Sequence, residues 1–211
     1  MIDDVPPLVL ASASPRRKEL LAAAGLDFTV DTSEIDETPR AGERPVDYVR
    51  RLAEAKARAV AARHPAAMVL GADTTVVVDG DILGKPADDG EARAMLARLQ
   101  GRAHQVLTGV ALVRGTWSRV DVATTDVWFA AMSAAEIDAY VASGEPRDKA
   151  GAYGIQGLAS RYVTRIDGSY PNVVGLPVAM VSALMAEYPR GRPEEPADGR
   201  PAGAGQGQGR A

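Results

Sequence analysis

Three cations lie together in the segment 14–18, whose letters SPRRK are typical of the start of a helix. Free N–H groups and the helix dipole already make that position positive, so each added cation costs about 0.3–1 kcal/mol at an exposed site. A bound anion would reverse this cost, with the hydroxyls of Ser12 and Ser14 and the side chains of Arg16 and Arg17 around it. In the alternative interpretation both arginines point to solvent and Ser14 is only a helix cap. The segment alone favours anion binding.

Two lysines are further candidates for binding an anion. Lys85 lies in a Gly-Lys-Pro segment, between residues that set the backbone rather than fill a core. Lys56 lies four residues after Leu52 on the apolar stripe of a predicted helix, which would direct its ammonium toward the sheet or a cleft. The ordinary alternative for Lys56 is an aliphatic stem at the border of the stripe with its charge in solvent. From this feature alone the ordinary alternative is favoured.

Carboxylates are the remaining candidates for catalysis, because the chain has no cysteine and only two histidines. A water activated by a carboxylate and a divalent cation is the natural nucleophile in such a chain. Asp73 follows an apolar strand, at or near its end, where a carboxylate is either catalytic or a cap for the next turn. The acidic stretch 34–37 supplies a second candidate, although such a stretch is most often a solvated loop.

The composition predicts one domain with a substantial core, since 46% of the 211 residues are hydrophobic. The net charge of −4 disfavours nucleic acid as a partner. We expect a cytoplasmic protein without a membrane partner, because no apolar run of about 18 residues and no signal-peptide pattern is present. Residues 189–211 contain ten Gly or Pro and no Val, Ile, Leu, Met or aromatic residue. They are therefore predicted to be a disordered tail after a domain of residues 1–188.

Alternating strands and helices must position these residues, which predicts an α/β fold with a mixed sheet. An Asp-Gly turn at 79–80 predicts an antiparallel hairpin, and two long alternating strands predict another antiparallel pair. The predicted strands are 7–11, 28–30, 68–73 continuing into 75–78, 82–83, 104–113, 118–130 and 162–166. The predicted helices run from Ser14 to Gly25, over 45–63, over 89–99, from Ser133 to Gly144 and over 176–187.

Six motifs taken together resemble the Maf family of nucleoside triphosphate pyrophosphatases. They are 10–21 (LASASPRRKELL), 71–74 (GADT), 84–86 (GKP), 148–157 (DKAGAYGIQG), 167–170 (DGSY) and 174–177 (VGLP). The resemblance implies hydrolysis between the α- and β-phosphates with a divalent cation, and a homodimer. It also implies an elongated, two-lobed fold like that of inosine-triphosphate pyrophosphatases (Maf/Ham1), in which helices flank a twisted mixed sheet with a central cleft.

Carried over residue by residue, the resemblance makes Asp73 the proton acceptor and links Arg16, Thr74 and Gln156 to substrate choice. The loop 148–157 resembles the branch that acts on dTTP and UTP, and an amide such as that of Gln156 can both donate to and accept from a pyrimidine edge. Alternatives are a regulator of septum formation and a pyrophosphatase for modified or deaminated purine triphosphates, which differs only in its base pocket.

The resulting hypothesis assigns a role to each candidate. Asp73 and Glu34 hold Mg²⁺ or Mn²⁺, and Asp73 deprotonates the water that attacks the α-phosphorus. Arg16, Lys56 and Lys85 neutralise the charge of the leaving pyrophosphate. The other phosphate-binding candidates are Ser12, Ser14 and Arg17.

Overall fold

The computed structural model describes residues 6–188, which are built around one mixed sheet. The strands are β1 (Leu8–Leu10), β2 (Phe28–Val30), β3 (Met68–Val78), β4 (Asp81–Leu83), β5 (Ala103–Arg114), β6 (Trp117–Phe129) and β7 (Val163–Asp167). The helices are α1 (Pro15–Ala23), α2 (Pro45–Ala61), α3 (Asp89–Leu99), α4 (Ala134–Ala142), α5 (Tyr170–Val174) and α6 (Val178–Ala186). The predicted tail, residues 189–211, lies outside the described residues.

The sheet has an opening along one edge of β3, a strand with both parallel and antiparallel partners. Its order is β2-β1-β3-β5-β6-β7, with β4 also paired to β3. Strand β1 runs parallel to β3 and covers residues 68–70, whereas β4 runs antiparallel and covers residues 76–78. Within the described part of the chain, residues 71–75 therefore have no strand partner on that edge, although β5 pairs with them on the other. This confirms the predicted mixed α/β fold and leaves room for a cavity in the middle of β3.

Helices cover both faces of the sheet. Helix α2 packs on one face through the apolar residues Val49, Leu52 and Val60, all of which are fully buried. On the other face one apolar core joins α1 and α6 to the first half of β3, and a second core joins α3 and α4 to its second half. The opening in β3 lies between these two cores.

Several predictions about local structure need correction. Asp73 lies in the middle of β3 and not at a strand end, because β5 hydrogen-bonds to β3 without interruption over residues 69–77. The 79–80 turn is confirmed, with positive φ at both Asp79 and Gly80. Helix α5 was not predicted: Pro171 at its start and Gly175 at its end confine it to five residues, too few to show a helical period.

The sequence of α2 places opposite charges four residues apart at 47/51 and at 54/58, and the structure forms one of these two ion pairs. Glu54 and Arg58 form the expected i,i+4 pair. Arg51 does not pair with Asp47, because it binds Glu43 in the loop before the helix at 2.6 Å. Among residues 6–188, none of the helices combines the length and apolarity needed to cross a bilayer.

Candidate active site

A cavity of about 590 Å³ lies at the opening in β3. This volume is in the range of small-molecule sites. Although the chain carries a net charge of −4, the cavity is lined by five cations and three carboxylates. The cations are Arg16, Arg17, Lys56, Lys85 and Lys149, and the carboxylates are Glu37, Asp73 and Asp148. The local cationic surplus suits an anionic ligand.

The cavity floor is formed by the buried side chains of Asp73, Lys56 and Arg17. Asp73 is only 6% exposed, and its Oδ1 accepts a hydrogen bond of 2.7 Å from Lys56 Nζ. The same ammonium lies 2.8 Å from Glu37 Oε1, and the Lys56 side chain is 12% exposed. The preference for a solvent-directed Lys56 was therefore wrong, because the charge turns inward to a buried carboxylate.

Two glycines on adjacent strands allow Lys56 to reach Asp73. A Cβ on Gly71 would lie 2.2 Å from the carbonyl oxygen of Ala53, and one on Gly109 would lie 2.2 Å from that of Val49. Both carbonyls belong to α2, so the helix backbone rests directly on the sheet at these points. This close approach sets the depth at which Lys56 meets the floor.

Arg17 lines the cavity, but its guanidinium is mostly committed to the fold. Its side chain donates to Gly175 O at 2.9 Å, Ser12 Oγ at 3.0 Å, Ala72 O at 2.8 Å and Thr74 Oγ1 at 3.0 Å. Ala72 O lies at the opening in β3, where no strand would otherwise satisfy it. Burial lowers the pKa of Arg17. The side chain thus joins α1, β3 and the end of α5, and it has one N–H left for a ligand.

Ser12 and Ser14 organise the start of α1. Ser14 Oγ accepts from the backbone N–H of Arg17, which confirms the predicted helix cap. Ser12 Oγ accepts from the backbone N–H of Ser14 and from Arg17. Both hydroxyls line the cavity and act only as acceptors in these contacts, so each keeps its O–H to donate to an anion.

The cavity rim is formed by the more exposed side chains of Arg16, Lys85 and Gln156. Arg16 is paired with Asp148 at 3.0 Å, and its side chain is 28% exposed. Partial burial opposes ionisation of Asp148, but hydrogen bonds from Lys149 and Arg16 lower its pKa to about 2. Lys85 and Gln156 are exposed, and neither side chain bonds to another described residue. All three can turn to a ligand without breaking the core.

Thr74 faces the opposite side of β3 from Asp73, because neighbouring residues of a strand alternate. Its Oγ1 contacts Thr108 Oγ1 at 2.9 Å and Gly175 O at 3.3 Å. It therefore belongs to the same hydrogen-bond network as Arg17 beneath the start of α1. The implied role of Thr74 in substrate choice stays a prediction.

A family comparison now identifies the kind of protein that carries this cavity. The model of Maf-like proteins matches residues 7–188. The chain belongs to the Maf family. The match spans every strand and helix that forms or supports the cavity.

Two similar proteins carry the same functional name. A protein of Symbiobacterium thermophilum named dTTP/UTP pyrophosphatase is 55% identical over 181 residues, covering 86% of this chain and 93% of its own length. One of Myxococcus xanthus with the same name is 56% identical over 178 residues, covering 84% and 90%. A solved HAM1 protein from Coxiella burnetii is similar at a TM-score of 0.42 and 19% identity, covering 72% of this chain and 89% of that one.

Of the two carboxylates expected to bind a metal, only Asp73 lines the cavity. Glu34 is exposed and is not among the residues that line the cavity, whereas Glu37 from the same loop reaches Lys56. The loop 31–44 has no regular period from which this choice could be read. Asp73 and Glu37 both lie within 2.8 Å of the ammonium nitrogen of Lys56. Residues 6–188 contain no group of three His, Asp or Glu arranged for a metal.

Sequence reasoning also missed two supporting residues of the Maf cavity. Tyr48 donates from its hydroxyl to the carbonyl oxygen of Glu37 at 3.1 Å, which holds the acidic loop against α2. Tyr48 lies two helical turns before Lys56, a spacing that could have flagged it. Ser33 Oγ lines the cavity, is buried and has no partner among the described residues. No pattern in the sequence distinguishes Ser33 from an ordinary loop serine.

Proposed function

We propose that this protein hydrolyses dTTP and UTP between the α- and β-phosphates, giving the nucleoside monophosphate and pyrophosphate. One observation carries the proposal: the buried carboxylate of Asp73 faces a cation-rich cavity and has one oxygen held by Lys56. The name dTTP/UTP pyrophosphatase, carried by relatives that are 50–56% identical, supports the same activity. The cavity volume suits a nucleotide.

Asp73 acts as the general base. Its Oδ1 bonds to Lys56, while its Oδ2 makes no hydrogen bond with another described residue and is free to accept a proton. The water gives a proton to Asp73, and its oxygen forms a bond to the α-phosphorus. The bond from that phosphorus to the oxygen bridging to the β-phosphate breaks, and its electron pair leaves with pyrophosphate.

The cationic lining stabilises the charge that develops on the leaving pyrophosphate. Lys85 and Arg16 are the cations free to move onto phosphate oxygens, since Lys56 and Arg17 are held by the floor. Ser12, Ser14 and Ser33 add hydroxyl donors. Positive charge and hydroxyl donors placed where negative charge develops lower the barrier to the reaction.

A divalent cation, Mg²⁺ or Mn²⁺, completes the proposed site. Asp73 and Glu37 would hold it beside Lys56, because both carboxylates line the cavity and each has a second oxygen outside its contact with that ammonium. Mg²⁺ typically takes one or two carboxylates together with substrate phosphates, so a third protein ligand is not needed. When bound, the cation would neutralise phosphate charge and lower the pKa of a coordinated water.

Gln156 selects the base in this proposal. Its amide is exposed, lines the cavity and makes no hydrogen bond with another described residue. Thymine and uracil present a carbonyl, an N–H and a second carbonyl on one edge, and an amide can meet an acceptor and a donor there at once. A panel of dTTP, UTP, ATP and dITP separates this preference from one for modified purines.

We also propose, from the family resemblance, that the enzyme is a cytoplasmic homodimer. Light scattering that gives twice the chain mass would support the dimer, and the chain mass would contradict it. The negative net charge supports the absence of a nucleic-acid partner. A link to cell-division arrest stays a prediction.

The decisive experiment replaces Asp73 with Asn, which keeps the shape and removes the base. Pyrophosphate release from dTTP should fall by about a thousandfold or more in a folded variant, as expected when a general base and its charge are lost together. Asp138→Asn is the matched control, because Asp138 is an exposed residue of α4 paired with Arg93 outside the cavity. Turnover retained by Asp73→Asn would contradict the mechanism.

A further inference from the structure

Gln156 lies in a tight turn with a defined hydrogen bond. The turn covers residues 154–157 and is closed by a bond of 3.1 Å from Gly157 N to Gly154 O. Ile155 points into the core at 7% exposure, while Gln156 is exposed at the cavity rim. The direction of the Gln156 amide therefore depends on how firmly this turn is held.

Two side chains hold the turn at both ends. Tyr140 accepts a hydrogen bond of 3.2 Å from Gly154 N at its hydroxyl oxygen, and it donates to Glu145 Oε1 at 2.7 Å. The other carboxylate oxygen of Glu145 accepts from Leu158 N at 2.8 Å. The backbone amides just before and just after the Ile-Gln-Gly tip are thus bound to one Tyr–Glu pair.

The carboxylate of Glu145 also packs against the turn itself. A Cβ on Gly157 would lie 2.3 Å from Glu145 Oε2, so only glycine leaves room for this contact. Burial and the hydrogen bond to Glu145 raise the pKa of Tyr140, which keeps its hydroxyl protonated as a donor. The pair is therefore matched to the backbone of the turn in both shape and hydrogen-bond direction.

The Tyr–Glu pair is itself anchored in a rigid element. Tyr140 is 2% exposed and packs in the core beside Ile137 and Val141 of α4. Helix α4 begins with a capping box, in which Ser133 and Glu136 satisfy each other's backbone N–H groups. The turn is therefore tied to a fixed helix and not to another loop.

We infer that Tyr140 and Glu145 are positioning residues for base selection, because they hold the turn that presents Gln156 to the cavity. This inference rests on the proposed function. Neither residue lines the cavity, so neither touches substrate. Their loss should change which base is accepted and how tightly, and leave the chemistry at Asp73 intact.

The test uses Tyr140→Phe and Glu145→Gln. Phe leaves Gly154 N without its acceptor, and Gln offers one acceptor oxygen where Tyr140 O–H and Leu158 N–H both donate. Each variant should raise the KM for dTTP about tenfold and lower the dTTP/dGTP ratio of kcat/KM by about tenfold, as expected for a lost hydrogen bond in a buried network. The kcat for dTTP should stay within about twofold.

Glu136→Gln is the matched control, since it removes a carboxylate charge from α4 without touching the turn. This variant should keep the wild-type dTTP/dGTP ratio of kcat/KM. Glu145 is only partly buried, so Glu145→Gln carries the test if Tyr140→Phe does not fold. Wild-type values of both KM and base ratio in the two variants would overturn the inference, as would a loss of kcat at unchanged KM.

A binding measurement separates this inference from the proposed function. The α,β-imido analogues of dUTP and dGTP cannot be cleaved at the expected bond, so calorimetry reports their affinities without turnover. If the wild type cleaves no triphosphate, the proposed function fails, and the inference is still supported by a preference for the dUTP analogue that falls in both variants. A wild type without preference between the analogues, or variants that keep it, would overturn the inference.

Discussion

The cavity floor and the cavity rim use the same types of side chain for different purposes. On the floor, Lys56 and Arg17 are buried and bonded to the fold. On the rim, Lys85 is exposed and has no ion-pair partner among residues 6–188, and Arg16 has one ion pair, with Asp148. A buried cation without its partners is costly, so the floor residues support folding as well as chemistry. The rim residues can be specialised for ligand binding because little structure depends on them.

Two neighbouring arginines give the sharpest contrast. Arg17→Met should lower the free energy of unfolding by about 3 kcal/mol, because it leaves Ala72 O and Gly175 O without their donors in a buried place. Arg16→Met should change it by less than about 1 kcal/mol, since the Arg16–Asp148 pair is largely solvated. Urea denaturation checks both. Equal losses would break the distinction between floor and rim.

Gly71 tests the close approach of α2 to the floor. Gly71→Ala should lower the free energy of unfolding by about 1–3 kcal/mol, because the added Cβ overlaps the Ala53 carbonyl and must push α2 away from the sheet. It should also lower kcat, since Lys56 moves with the helix. Gly84→Ala is the control for stability: its Cβ would meet nothing within 4 Å. A stable, fully active Gly71→Ala enzyme would show that the depth of Lys56 is unimportant.

The buried side chain of His104 makes the stability of the protein depend on pH. Its Nε2 contacts Tyr153 OH at 2.8 Å, and burial lowers its pKa from 6.5 to about 4. The unfolded chain therefore binds the proton first as the pH falls, so stability is lost from about pH 6.5 down to about pH 4. Between pH 7 and pH 5 this residue alone should lower the free energy of unfolding by about 2 kcal/mol.

His104→Gln cannot take up that proton. Chemical denaturation at the two pH values should therefore show a smaller drop in the variant than in the wild type, whatever its stability at pH 7. The same drop in both proteins would show that His104 is not the group responsible.

Lys85 gives the smallest expected effect. Lys85→Met should lower kcat/KM for dTTP about tenfold, the loss expected for one charge-assisted phosphate contact, and leave the free energy of unfolding nearly unchanged. Lys18→Met removes the same charge from α1 outside the cavity lining and should keep the wild-type kcat/KM. A clearly destabilised Lys85→Met protein would show that Lys85 supports the fold, as the floor residues do, and would contradict its assignment to the rim.

Much of the fold was predictable because its signals are local. The Ser-Pro start of α1, the Asp-Gly hairpin turn and the alternation in β5 and β6 each depend on a few neighbouring residues. The position of Asp73 within its strand was not predictable from local signals. Strand β3 continues through Asp73 because it pairs with β5, about 35 residues further along the chain. Local sequence patterns therefore indicate whether a segment is a helix or a strand, whereas the length of β3 depends on its pairing with a distant strand.

The candidate site was predictable in its residue types but not in their partners. Lys56 was read as solvent-directed because an apolar stripe does not reveal a buried carboxylate opposite it. Arg17 and Arg16 look equivalent in sequence, yet one is enclosed by α5 and β3 and the other is not. The choice of Glu37 over Glu34 depends on an irregular loop and on Tyr48, which no local period encodes.

In the proposed mechanism a water activated at Asp73 attacks the α-phosphorus, so the oxygen of that water must end in the nucleoside monophosphate. Wild-type enzyme would hydrolyse dTTP in water labelled with heavy oxygen, and mass spectrometry would locate the label in the products. The mechanism predicts label in dTMP and none in pyrophosphate. Label in pyrophosphate, or orthophosphate as the first product, would contradict it.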